Sequence, residues 1–236
     1  MCFTVSIFAS THEIETALGA VFDDASAYQP YFHVSGFVHP NLPFVTNERP
    51  DAIETLRWGL VPGWVKDREK ADDLADKTLN ARSETVFEKP SFRSAIVKRR
   101  GLLPVNGFVE WRHEGDVKIP HLITRRDQDL FTLGCIWESW TDKTSGEVLR
   151  TFSIVTTEAN EMMSYVHNNK QRMPVVIPTE ARLAWLNEDD RGMVSRLMHP
   201  LEEGILQAVP LNRDVSRVKV NTDHADLLEP IGEPVV

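Results

Sequence analysis

The sequence predicts an α+β fold in which mostly antiparallel strands form a barrel-like core with flanking helices. Three observations predict it. Short segments of period-two alternation recur along the chain, Gly, Pro, Asn and Asp clusters separate them, and only a few stretches carry helical periodicity. The 236 residues, 42% of them hydrophobic, are ample for a core. No repeat, low-complexity tract or linker divides them, so one domain over 1–236 is expected.

Cys2 to Phe8 alternates Phe3, Val5 and Ile7 against Thr4 and Ser6, a half-buried strand with Cys2 at its free end. Ser10 and Glu13 have capping-box spacing, and Ile14, Ala17, Leu18, Val21 and Phe22 share one helical stripe. Asp23 to Pro50, rich in Pro, Gly, Asn and aromatics, reads as irregular chain with a short strand near Phe44 to Thr46. Ile53 to Trp58 is a strand ended by Gly59 and Pro62-Gly63, and Asp67 to Ala75 is a solvated helix or loop. Leu79 to Thr85 reads as extended. A short helical segment broken by Pro90 and a turn or two over Ser91 to Val97 precede the Lys98-Arg99-Arg100 run, a triplet that is either solvated surface or the border of a DNA path. Leu102 to Trp111 is expected as one strand bulged at Asn106-Gly107. A hairpin at Glu114-Gly115-Asp116 leads to strands at Ile119 to Arg125, Leu130 to Trp137 and Val148 to Thr156, the last two joined at Asp142 to Gly146. Glu158 to Tyr165 is a short helix, Met173 to Ile177 a strand, and a helix N-capped by Thr179 precedes a second ending near Met198 and a strand around Ile205 to Val209.

Twenty-six Lys and Arg against thirty-five Asp and Glu give a net charge of -9, which argues against broad nonspecific binding to nucleic acid. Any polyanion site must be a local basic cleft. No apolar run approaches the ~18 residues of a membrane span, and the N-terminus lacks a basic segment followed by an apolar one, so a cytoplasmic protein without membrane attachment is expected. Two cysteines, Cys2 and Cys135, support neither a disulfide framework nor a cysteine zinc site; no metal or cofactor is expected. A monomer is expected.

Cys2 is small enough for the initiator Met1 to be trimmed, which would leave an α-amine and a thiol on adjacent carbons. With reference pKa values near ~7.8 and ~8.5, both are usable nucleophiles. Against an aldehyde they could form a Schiff base and then a five-membered thiazolidine ring; alternatively Cys2 is a small buried hydrophobe opening a strand. Cys135, within a strand, is most simply core. In Leu79 to Thr85, alternation puts Asn80, Arg82 and Glu84 on one face. That face is either a surface ion pair, Arg82 with Glu84, or a substrate strip in which Arg82 holds a phosphate and Asn80 orients a sugar. Trp64, beside the Pro62-Gly63 turn, is a core anchor or a base-stacking platform. Glu110 lies in an otherwise apolar strand, where a carboxylate demands a cavity and a partner. His167 stands at a helix-to-loop junction close to Lys170 and Arg172, a position suited to proton transfer.

Met1-Cys2, Arg57-Trp-Gly-Leu-Val-Pro-Gly-Trp64, Asn80-Ala-Arg-Ser-Glu-Thr85, Gly107-Phe-Val-Glu-Trp111, His167 with Arg172-Met-Pro174, and Val215-Ser-Arg217 together resemble the SOS-response-associated peptidase (SRAP) family of abasic-site processing proteins, in the family's order and across essentially the whole chain. The resemblance implies a protein that binds single-stranded DNA containing an abasic site and crosslinks to the ring-opened sugar aldehyde through Cys2, after autoproteolytic removal of Met1. It further implies a thiol autopeptidase, with abasic-site lyase activity compatible with the same site. Asn80, Glu110 and His167 match active-site positions, and Arg82 a DNA-contacting one, with Trp64 and Arg172 as further DNA contacts. On DNA the protein would be associated with the nucleoid. This chain departs from the family at Phe3-Thr4-Val5, where Gly-Arg-Phe is common, at His33 and Ser35-Gly36, and in extra residues between His167 and Arg172. Two other classes fit Met1-Cys2 or the cleft: an N-terminal-nucleophile hydrolase of the amidotransferase type, and a noncovalent reader of modified bases.

Overall fold

The computed structural model describes residues 2–217 and 223–235; Met1, whose removal is expected from the sequence, lies outside them, as does the Arg217 side chain. In chain order the elements are β1 (Thr4–Ile7), α1 (Thr11–Leu18), β2 (Val21–Phe22), β3 (Tyr31–Ser35), β4 (Asn41–Thr46), β5 (Ala52–Trp58), α2 (Arg68–Lys77), β6 (Asn80–Arg82), α3 (Arg93–Lys98), β7 (Arg100–Val105), β8 (Gly107–Glu114), β9 (Val117–Arg125), β10 (Phe131–Thr141), β11 (Val148–Glu158), α4 (Glu161–Val166), β12 (Arg172–Pro174), β13 (Val176–Ile177), α5 (Arg182–Asn187), α6 (Arg191–Arg196) and β14 (Leu206–Pro210).

Strands β11, β10, β7, β4 and β5 pair antiparallel in that order, and a parallel contact of β5 with β11, Arg57 beside Thr151 and Trp58 beside Phe152, closes them into a barrel. Closure removes the two open sheet edges that five strands would otherwise leave to be protected. Phe152 stands between Phe44 and Trp58, with ring centroids 4.9 and 6.0 Å away. A second antiparallel sheet, in the order β14-β9-β8-β1-β3, carries the N-terminal strand in its interior. The fold is thus the predicted α+β barrel with extra strands. Among the described residues no helix is long and apolar enough to cross a membrane.

The capping box forms as predicted: Glu13 N–H donates to Ser10 Oγ at 3.3 Å, and Ser10 N–H to Glu13 Oε2 at 2.7 Å. Such a cap contributes roughly 1 kcal/mol. Gly19 closes α1 with φ 65°, the left-handed conformation that glycine adopts without strain.

Other local expectations are corrected by tertiary context. The single bulged strand over Leu102 to Trp111 is two strands of different sheets, because Val105 pairs with Phe131 of the barrel while Gly107 pairs with Ser6. Asn106 makes the crossing, its Oδ1 accepting from the backbone N–H groups of Phe8 at 2.7 Å and Ala9 at 3.0 Å. Met173 to Ile177 likewise divides into β12 on β11 and β13 on β10. The region read as irregular before Pro50 contains β3, whose side chains alternate poorly by hydropathy. Thr179 does not N-cap an α-helix; it opens a 3-10 turn, and no side chain caps α5. Arg100 is not solvated: it is buried, and its guanidinium donates to Ile96 and Val97 carbonyls and to those of Trp185 and Glu188, binding the C-terminal ends of α3 and α5.

Candidate active site

Strand β1 brings Cys2 to the junction of barrel and second sheet, where it is fully buried. Strand β6 lies parallel to β11, Asn80 beside Ile154, and Asn80 Nδ2–H donates to the Cys2 carbonyl at 2.8 Å. Among the described residues Asn80 Oδ1, buried beside it, has no hydrogen-bond partner. From β8, Glu110 enters the same region at 4% exposure, and from the end of α4 comes His167 at 7%.

Asn160 N-caps α4 by accepting from Met163 N–H at 3.0 Å, and the helix ends after one and a half turns with His167 as its C-cap. His167 Nδ1 lies 2.9 Å from the Arg172 carbonyl oxygen. A carbonyl only accepts, so Nδ1 carries the proton and the lone pair of neutral imidazole is on Nε2, which faces Glu110 Oε2 at 3.8 Å. Burial governs both groups: it raises Glu110 from 4.5 to about 7 and lowers His167 from 6.5 to about 4. Near neutrality Glu110 is therefore divided between acid and carboxylate, with the acceptor nitrogen of neutral His167 opposite. Burial, then the charge of Glu110, pushes the Cys2 thiol up, so it is protonated in this environment.

Beside these groups opens a cleft of about 870 Å³, lined by Glu110 and His167, by Lys170, which the sequence placed near His167, and by residues that sequence reasoning missed, Phe3, Phe37, Lys118 and Arg213 among them. Three cations against Asp116 and Glu110 make it locally basic within an acidic chain. Lys170 owes its place to the turn after His167. Asn168 clamps the backbone of His113, accepting from its N–H at 3.0 Å and donating to its carbonyl at 2.8 Å, and the turn swings Lys170 into the cleft before Gln171 reverses the chain at φ 49°. Trp111 lines the same cleft, its Nε1–H donating to Ser216 Oγ at 2.9 Å, which explains the Val215-Ser-Arg217 motif as far as Ser216.

Not every predicted site residue joins this cluster. Arg82 is exposed at the end of β6, outside the cleft lining. The Arg82–Glu84 pair is replaced by another: Glu84 bonds Arg172 through both carboxylate oxygens, Nη2 to Oε2 at 3.0 Å, and Arg172 Nη2 also donates to the Thr156 carbonyl at 2.7 Å. Arg172, expected at the DNA, is buried with its guanidinium committed to that pair, so it braces the strip against β11. Trp64 is 60% exposed rather than a core anchor, and stands in a separate depression with Lys66 and Lys70. Among the described residues no group of three or more His, Cys, Asp or Glu is gathered around a metal-sized space.

Fold and site together define a barrel protein whose second sheet places a buried Cys2 near a carboxylate–imidazole pair. The family model for SOS response associated peptidase (SRAP) matches residues 1–218, and the chain belongs to that family. It is 33% identical over 197 residues to abasic site processing protein YoqW of Bacillus subtilis, covering 81% of this chain and 84% of that one. Abasic site processing protein HMCES of Gallus gallus is 29% identical over 201 residues, covering 76% and 58%. A crystal structure of a protein from Bacteroides thetaiotaomicron superposes with a TM-score of 0.91 at 34% identity, over 97% of this chain and 99% of that one.

Proposed function

We propose that this protein processes abasic sites in single-stranded DNA by forming a covalent link from Cys2 to the sugar aldehyde, once Met1 has been removed. The observation that carries the reading is that Glu110 and His167 face each other in one locally basic cleft, lined also by Phe3 and Thr4 directly after the buried Cys2, whose carbonyl Asn80 holds. Relatives named abasic site processing proteins supply the substrate class.

The freed Cys2 amine adds to C1′ of the open-chain sugar, its proton passing to Glu110 in the carboxylate form, and the carbinolamine loses water to give the imine. His167 Nε2 accepts and returns protons during ring opening and dehydration. The Cys2 thiol, protonated in its buried setting, then adds across the imine: sulfur bonds C1′ and the thiol proton goes to nitrogen. Amine, thiol and aldehyde thus become one thiazolidine and one water. Asn80 holds the Cys2 carbonyl, and its unfilled Oδ1 is an acceptor for the amine or a sugar hydroxyl. Arg82 and Trp64 contact the strand outside the cleft. Met1 autoproteolysis would use the thiol with the same proton relay: the Cys2 sulfur adds to the Met1 carbonyl, the amide nitrogen leaves with the thiol proton as the new α-amine, and water hydrolyses the thioester to free methionine and the regenerated thiol.

The test is incubation with abasic single-stranded DNA followed by denaturing electrophoresis, beside intact mass of the protein made in cells. Wild type should lack Met1 and form a heat-stable adduct. Cys2→Ala should bind without a stable adduct, and His167→Ala should slow crosslinking by roughly 10²-fold or more at little cost in affinity. Heat-stable adducts from Cys2→Ala, or from a species that retains Met1, would sink the mechanism.

A further inference from the structure

The cleft mouth carries an aromatic feature that the covalent chemistry does not use. Phe3 and Phe37 meet with ring centroids 5.0 Å apart and planes tilted by 34°, both lining the cleft that holds Glu110 and His167. Phe37 is 55% exposed, although the core is one residue away. Its outward pose is built in. A Cβ at Gly36 would sit 3.0 Å from the Trp58 ring and 3.2 Å from Leu79, so the turn is pressed onto the core at Gly36 and its next side chain must face out. Ser35 Oγ accepts from Phe37 N–H at 3.3 Å, and Gly36 N–H donates to the Phe3 carbonyl at 2.8 Å, which fixes the two rings on one rim. Phe3 directly follows Cys2, so its Cα is ~3.8 Å from that of the nucleophile.

Resting on the abasic-site reading above, we propose that Phe3 and Phe37 form a stacking platform for the nucleobase that flanks the abasic sugar. An abasic nucleotide offers no base to grip, so recognition beyond the sugar itself must come from its phosphates and its neighbours. Lys118, Lys170 and Arg213 supply charge for the former, and the tilted pair supplies an apolar face for the latter. Aromatic faces combined with a cationic groove are what single-strand binding requires, and an apolar peptide would have no use for the three cations.

Fluorescence anisotropy with a tetrahydrofuran abasic analogue, which has no aldehyde and cannot crosslink, tests this on the wild-type protein. The analogue is flanked either by adenines or by further abasic spacers. Wild type should bind the adenine-flanked strand tighter by roughly five- to 150-fold. Phe37→Ala should erase most of that difference and Phe37→Trp should keep it. Phe8→Ala, which removes an exposed ring stacked on Phe32 outside the cleft, should leave it unchanged. Full dependence on the flanking base in Phe37→Ala, or equal affinities in wild type, overturns the platform. A true abasic strand run in parallel separates the two failures: normal crosslinking with equal affinities removes the platform alone, whereas absence of any crosslink removes the reading beneath it.

Discussion

Glu110 and His167 show how burial, rather than ion pairing, decides protonation at a single residue. At 3.8 Å a charged pair would lower the carboxyl and raise the imidazole; both groups move the other way, because desolvation outweighs attraction inside the sheet junction. This has a consequence for stability. Between pH 4.5 and about 7 the unfolded chain gives up the Glu110 proton that the folded protein keeps, so the unfolded state binds fewer protons and this residue's contribution falls as pH rises. Glu110→Gln removes that loss. The variant should match wild type near pH 4 and exceed it at pH 8, by up to roughly 3 kcal/mol. Urea denaturation at the two pH values measures it, and an unchanged wild-type-to-variant difference across them would mean that Glu110 is not held protonated by burial.

At the scale of the element, strand β6 and the turn after it divide labour between neighbouring charges. Asn80 points to Cys2, Arg82 stays exposed, and Glu84 is taken by Arg172 across the sheet. The two ends of that last pair are unequal, the Arg172 side chain being 8% exposed and that of Glu84 51%. Glu84→Ala therefore strands a buried guanidinium, whereas Arg172→Met replaces it with an apolar chain and leaves a carboxylate that water can reach. Glu84→Ala should be the more destabilising, by about 2 to 4 kcal/mol against about 1 for Arg172→Met. Chemical denaturation compares them, and a larger cost for Arg172→Met would make packing, not charge, the role of Arg172.

For the whole molecule the question is how a chain of net charge -9 holds a polyanion. Its long-range field opposes approach, so binding must rest on a few local cations, and each phosphate neutralised in a single strand adds about -0.7 to the slope of log K against log salt. Arg82→Ala should weaken binding to abasic single strands and flatten that slope by about one contact. Lys98→Ala, an exposed cation on α3, should change neither. Anisotropy across a salt series in a Cys2→Ala background reads both quantities. No change for Arg82→Ala would leave Lys118, Lys170 and Arg213 of the cleft to carry the phosphate contacts.

What the sequence determined by itself was whatever depends on near neighbours: the Ser10–Glu13 capping box, the period-two strands from Val117 to Glu158, and the demand of Glu110 for a cavity. Motif identity also singled out Cys2, Asn80, Glu110 and His167 as site candidates. Tertiary structure decided what depends on partners distant along the chain. Val105 and Gly107 look like one strand because hydropathy alternation does not say which sheet a residue pairs in; Ser6 and Phe131 settle that. Arg100 reads as solvated beside Lys98 and Arg99, yet helix-end carbonyls nearly ninety residues away solvate it in place of water. Lys118, Lys170 and Arg213 form a basic cleft only when a hairpin, a turn and the C-terminal segment meet, and Phe37 becomes a platform only because Trp58 lies under Gly36. Alternation and capping are written within a few residues, whereas burial and pairing are sums over neighbours that the closed barrel alone brings together.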